Sequence, residues 1–196
     1  MSERSGRSLK DLETSIRDKN ARLLELSQAI DPNAFDSLDP VHNIDVIFTS
    51  NALDGNSLSA HETATVLEKG YAVGGKSLLH HMQVLDHAHA MEGARWLAAQ
   101  HLQRLNFRAV NSADLMAMNW GLTRRTKEVF ENTFVGPHPD HTDRPPEAVR
   151  DLLNWLKTQT DTPETAVAVH NGLIRAHPFV SGNEVTARLA MNLILM

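Results

Sequence analysis

His177, Ser181, Gly182, Asn183 and Arg188 fall inside one twelve-residue run, H-P-F-V-S-G-N-E-V-T-A-R, close to the C-terminus. A histidine and an arginine bracket a small Ser-Gly-Asn turn, and an apolar helical pattern follows through Val185, Leu189 and Leu193. This arrangement suits an anion, phosphate above all. Gly182 lets main-chain N–H groups come close, and the first turn of the predicted helix adds unpaired donors at the positive end of its dipole. His177 beside it can take a proton near neutral pH, as a general base must.

The elements that position this run read as helices almost throughout. Leu9, Leu12, Ile16, Leu23 and Ile30 recur at three-, four- and seven-residue steps and predict an amphipathic first helix. Asp31-Pro32 and Asp39-Pro40 bracket a loop, and 41–53 reads as a helix ending at Gly55. Ser59 with Glu62 is a capping box opening a helix that stops at Gly70. A long helix is expected from Ser77 to about Leu102, and another from Ser112 with Asp114 up to Gly121. Residues 123–146 break the habit. Val129, Phe130, Thr133, Phe134 and Val135 favour strand, and Gly136-Pro137 with Pro139 forces turns, which predicts a short hairpin over Glu128 to His141. Pro145-Pro146 opens a helix carrying Val149, Leu152, Leu153 and Leu156, and Thr162-Pro163-Glu164 opens the next, ending near Ala176. The class is all-α with one small β-hairpin.

The chain has 196 residues, 41% of them hydrophobic and 22% charged, which suits one folded domain with a real core. Its formal net charge of −5 gives a nucleic-acid partner no electrostatic support. With no cysteine there are no disulfides or thiolate metal sites. The first residues lack an apolar leader segment, and no stretch reaches the ~18 apolar residues of a membrane span, so no membrane role is expected and the cytoplasm is the default. Eleven histidines raise the question of a metal. His80, His81, His87 and His89 share one predicted helix but not the tight pairing of zinc ligands, and are read as solvated; His138, Asp140 and His141 form a denser cluster on the predicted turn. No metal site is assigned to either. Arg124, Arg125 and Lys127 read as a solvated turn.

The run from His177 to Arg188 resembles the signature of the Fic (Fido) family, H-P-F-x-(D/E)-G-N-G-R-x-x-R. The resemblance implies a Fic-type helical bundle with a β-hairpin flap, and an enzyme that transfers AMP from ATP to a protein hydroxyl. By it, His177 is the catalytic base that deprotonates a Ser, Thr or Tyr of a target protein, and Phe179 is the buried aromatic that fixes the loop. Gly182 and Asn183 are the nucleotide-binding cradle, and Arg188 is the second signature arginine. Three positions depart from the pattern. Ser181 stands where the family has the carboxylate that holds Mg²⁺, and a neutral hydroxyl is a poor sole ligand for that ion. Glu184 replaces a glycine and Val185 an arginine, which makes the loop less positive by about two charges.

A second resemblance lies upstream. Ser50-Asn51-Ala52-Leu53-Asp54-Gly55-Asn56 is similar to the family's inhibitory motif, (S/T)-x-x-x-E-(G/N), with Asp for Glu. It implies regulatory roles for Ser50 and Asp54, with Asp54 facing Arg188 and blocking the nucleotide; the residues alone also allow a solvated carboxylate at a helix end. The family core usually continues through further helices that cover the base, so its C-terminal helices are expected to be missing. The domain reading is therefore an N-terminal helix and loop over 1–40 and a Fic-like domain over 41–196. Within the latter lie the inhibitory helix near 41–56, the flap near 128–141 and the signature loop 177–188. The expected function is protein adenylylation with ATP, without a well-held Mg²⁺, impaired or autoinhibited in this chain, with a target protein at the flap. The alternatives are a Fic-fold pseudoenzyme acting as a protein-binding or regulatory module, and another transfer of the same superfamily. Homo-oligomerisation stays open.

Overall fold

The computed structural model describes residues 8–27, 39–103, 110–134, 147–160 and 162–196, and the chain divides into two compact units, 1–42 and 43–196. Among the described residues it forms eight helices and no strand. They are α1 (Leu9–Ser27), α2 (Asp39–Leu53), α3 (Ala60–Lys69), α4 (Leu78–Gln103), α5 (Ser112–Phe134), α6 (Glu147–Leu156), α7 (Pro163–Ala176) and α8 (Asn183–Leu195). No described helix is long and apolar enough to cross a membrane.

In the first unit, α1 opens on a reciprocal cap. The Asp11 N–H donates to Ser8 Oγ at 3.2 Å, and the Ser8 N–H donates to Asp11 Oδ2 at 3.0 Å. Leu12, Ile16, Leu23 and Leu26 on this helix are exposed.

The second unit is built on two helix pairs. α4 packs most extensively on α5, and α7 on α8; α8 also touches α4 and α5, so it joins the pairs. Its centrality follows from its sequence. Ala187, Leu189, Ala190 and Leu193 are buried, and the small residues let three neighbours approach. The polar members of that face, Asn183 and Thr186, are buried as well. Local signals place the other ends. Ser59 Oγ accepts from the Glu62 N–H at 3.3 Å while Glu62 Oε2 accepts from the Ser59 N–H at 2.7 Å, and Gly70 closes α3 with a left-handed φ of 66°. Thr162 caps α7 with Pro163 in its first turn.

Two expectations are corrected. Residues 128–134, expected as the first strand of a hairpin, continue α5 instead. Strand preference at Val129, Phe130 and Thr133 is a weak bias of about 1 kcal/mol at most across the scale, and an existing helix gains a hydrogen bond for each residue it adds. Gly121, expected to end that helix, lies inside it. A Cβ there would sit 3.2 Å from Ala90 Cβ, so the glycine serves the close approach of α5 to α4 rather than a turn. The remainder of the expected hairpin, with Val135 and the His138–His141 cluster, lies outside the described residues, as do the loop after Asp31 and the Pro145-Pro146 pair.

Candidate active site

The loop between α7 and α8 is set by two left-handed residues. His177 ends α7 with φ 43° and its N–H bonded to Leu173 O at 3.0 Å; it is the one non-glycine residue with positive φ among those described. Pro178 then prevents the helix from resuming. Such a conformation costs a side-chain-bearing residue on the order of 1 kcal/mol and is kept where the surroundings hold it. Gly182, with φ 74°, starts α8 and accepts from both the Thr186 N–H (2.9 Å) and Thr186 Oγ1 (2.7 Å).

Asn183 is the loop's internal strut. It is 2% exposed, its Oδ1 accepts from the Phe179 N–H at 2.9 Å, and its Nδ2 donates to Phe179 O at 2.7 Å. The same Nδ2 lies 3.3 Å from each ring nitrogen of His177. Both ends of the amide are thus used within the loop, so Asn183 acts on an anion by holding the shape of the cradle. Phe179 packs against the core, as does Val185. A second strut comes from α5: Asn119 Nδ2 donates to Ser181 O (2.8 Å) and Thr186 Oγ1 (3.2 Å). The imidazole of His177 projects outward, its side chain 60% exposed, with Nε2 4.0 Å from Glu184 Oε1.

Arg188 lies one and a half turns into α8 and donates through two of its three guanidinium nitrogens. Its Nε donates to Ser50 Oγ at 2.6 Å, and its Nη2 donates to Ser50 O at 3.1 Å and to Asp54 Oδ2 at 2.6 Å. Asp54 follows the end of α2 in a turn closed by Gly55 (φ 86°), its own N–H bonded to Asn51 O at 3.0 Å. Residues 138 and 134 positions apart in sequence are thereby brought onto one guanidinium.

Several residues of this site escaped the sequence reading. Asn119 has a faint signal, an amide inside the apolar run Met116–Leu122. His87 was expected to be solvated and is instead 2% exposed, with Nδ1 2.9 Å from Asn51 Nδ2. His81 is buried too, its Nε2 accepting from the Val73 N–H at 2.9 Å. Position on a helix does not disclose which face its neighbours will cover. Burial first, and the nearby Arg188 charge second, push the His87 pKa down to about 4. Asp86 beside it is fully buried, and burial raises its pKa against the opposing hydrogen bonds from Arg125 and Thr126.

Residues 96–195 match the Fic/DOC family, half of the chain and the half that holds the loop. The chain belongs to that family. It is 29% identical over 163 residues to protein adenylyltransferase fic-1 of Caenorhabditis elegans, covering 76% of this chain and 31% of that protein. To protein adenylyltransferase Fic of Nematostella vectensis it is 30% identical over 156 residues, covering 76% and 36%. The chain thus spans about a third of the length of the curated relatives it matches. Among solved structures, Fic-1 of C. elegans superposes with a TM-score of 0.67 at 25% identity, over 94% of this chain and 58% of that one. A Fic domain containing signaling protein from Bacteroides thetaiotaomicron superposes with a TM-score of 0.69 at 21% identity, over 86% and 67%, which speaks for the fold alone.

Proposed function

We propose that residues 41–196 are the catalytic module of a protein adenylyltransferase, held with its phosphate-binding arginine masked. The observation that carries this reading is the engagement of Arg188 by Ser50 and Asp54 beside a loop that turns the His177 imidazole outward. In the reaction, a Ser, Thr or Tyr hydroxyl of a target protein gives its proton to the His177 imidazole as its oxygen attacks the α-phosphorus of ATP. The new O–P bond replaces the α–β phosphoanhydride bond, and pyrophosphate leaves with the electron pair. Gly182 and the first N–H groups of α8 hold the phosphates. Arg188 joins them only when α2 lets it go. The target approaches beyond the C-terminal end of α5.

The magnesium ion that the resemblance implies does not fit the residues present. Ser181 is exposed and offers one neutral hydroxyl, and the loop's single carboxylate, Glu184, points toward His177. The step is therefore written without it. These residues also favour a second reading, a Fic-fold module that binds partners and no longer transfers AMP. Glu184 places a negative charge beside the base, and Val185 packs into the core where a cation would face phosphate.

Incubation with radiolabelled ATP and cell lysate separates the two. The enzyme reading expects weak, His177-dependent labelling of proteins that rises when Ser181→Asp, Glu184→Gly and Val185→Arg are combined. Labelling absent from both the native chain and the restored variant, with ATP still bound by the latter, would leave the binding module.

A further inference from the structure

Two of the three hydrogen bonds on Arg188 do not involve Asp54. Both go to Ser50, one to its hydroxyl and one to its carbonyl. Ser50 lies in the last turn of α2, where unpaired carbonyls and the negative end of the helix dipole attract a cation without help from a carboxylate. Apolar packing holds α2 only lightly. Ile47 is fully buried, whereas Leu53 is 73% exposed.

What fixes Ser50 is its neighbour. Asn51 is 6% exposed, and its Nδ2 donates to Ile47 O at 2.8 Å and reaches His87 Nδ1 at 2.9 Å. The contact with a carbonyl identifies that atom as the nitrogen, so His87 Nδ1 must be the acceptor and the ring proton sits on Nε2. His87 belongs to α4, which packs directly on α8, the helix carrying Arg188. The pair is therefore a polar pin joining the last turn of α2 to the rigid centre of the fold. A neutral ring is required, since a second proton would remove the acceptor and face Arg188 with a like charge.

We propose that His87 is a positioning residue of the mask: through Asn51 it sets Ser50 against Arg188, a hold that acts alongside the Asp54 carboxylate. The inference deepens the masked-state reading above and rests on it only where nucleotide binding is concerned.

The test compares Asp54→Gly, His87→Phe, His87→Asn and Asn51→Ala. Three quantities are read: phenylglyoxal modification of Arg188 by peptide mass spectrometry, amide exchange over residues 43–56, and titration with a fluorescent ATP analogue. Asp54→Gly removes one charge-assisted bond from Arg188 and should by itself speed modification by on the order of tenfold, the Ser50 bonds remaining. His87→Phe keeps a ring but offers no acceptor, and should speed both modification and exchange by on the order of tenfold, the scale of one buried hydrogen bond. Asn51→Ala removes the same bond from the other side and should match it. In His87→Asn the Oδ1 stands near the place of Nδ1, so reactivity should stay close to native although the lost ring volume lowers the melting temperature.

The proposal is overturned if His87→Phe and Asn51→Ala leave Arg188 reactivity and exchange over residues 43–56 at native levels. It is equally overturned if His87→Asn releases Arg188 as His87→Phe does, since packing rather than the acceptor would then be responsible. Reactivity and exchange do not depend on nucleotide. Should they behave as expected while no variant binds the ATP analogue, the mask stands and the adenylyltransferase reading falls. The reverse pattern sinks the mask alone.

Discussion

Gly182→Ala tests whether the loop is held by the conformation described here. At φ 74° the residue sits in the left-handed region, which costs an alanine about 1–2 kcal/mol. The new Cβ would lie 3.1 Å from Asn119 Nδ2, so that strut must give by a few tenths of an ångström. Its bonds to Ser181 O and Thr186 Oγ1 lengthen, and part of one hydrogen bond, about 1 kcal/mol, is lost. Alanine also narrows the unfolded ensemble, which returns about 0.5 kcal/mol. The net destabilisation is about 2 kcal/mol. For a domain of this length that corresponds to a fall of about 4–8 °C in melting temperature. Calorimetry of the native chain, Gly182→Ala and Gly182→Asn measures it. Asparagine tolerates the left-handed region better, and should recover part of the loss despite its larger side chain. A shift below about 1 °C for alanine would refute the reasoning, because neither the left-handed φ nor the Asn119 contact could then be real constraints.

Three further outcomes are expected. Ser59→Ala removes the side-chain half of the α3 capping box and should lower stability by about 1 kcal/mol in urea unfolding with an unchanged slope. Asp86→Ala leaves the Arg125 and Thr126 N–H groups without the carboxylate they share at 3.0 and 3.2 Å, for a loss of about 2–4 kcal/mol. Asp86→Asn keeps an acceptor for those N–H groups but turns its NH₂ toward Arg125 Nη1, which Asp86 Oδ1 accepts from at 2.8 Å, so it should fall between the alanine variant and the native chain by thermal melting. His87 governs acid sensitivity. Its folded pKa of about 4 lies below the unfolded value of 6.5, so the unfolded chain binds the proton first as pH falls. The stability this contributes is complete above pH ~6.5, is lost between there and pH ~4, and amounts to on the order of 3 kcal/mol. Unfolding free energies measured across that window should show the slope in the native chain and lack it in His87→Phe.

The sequence by itself determined what local chemistry can determine. Ser59 with Glu62, Gly70, Thr162-Pro163 and the Ala176-His177-Pro178 junction mark helix ends, because capping, left-handed glycine and proline's missing N–H act within a few residues. The run from His177 to Arg188 carries the base, the glycine and the arginine of the candidate site for the same reason, since a loop and the first turns of the following helix build it. What only the tertiary structure decided is which faces are covered. Nothing near His87 in sequence shows that α8 and the end of α2 will close over it, so a histidine readable as solvated is buried and neutral. Gly121 read locally as a helix end and turned out to be where α5 meets Ala90. Val129 to Phe134 followed the helix already formed before them rather than their own strand preference. Asn119 became a strut only because α5 lies alongside the loop. The resemblance to a known motif suggested that Asp54 faces Arg188, but the two bonds from Arg188 to Ser50, and the Asn51–His87 pin behind them, depend on packing between residues that are distant in sequence. Burial and long-range contact are properties of the assembled core, and no short stretch of chain contains them.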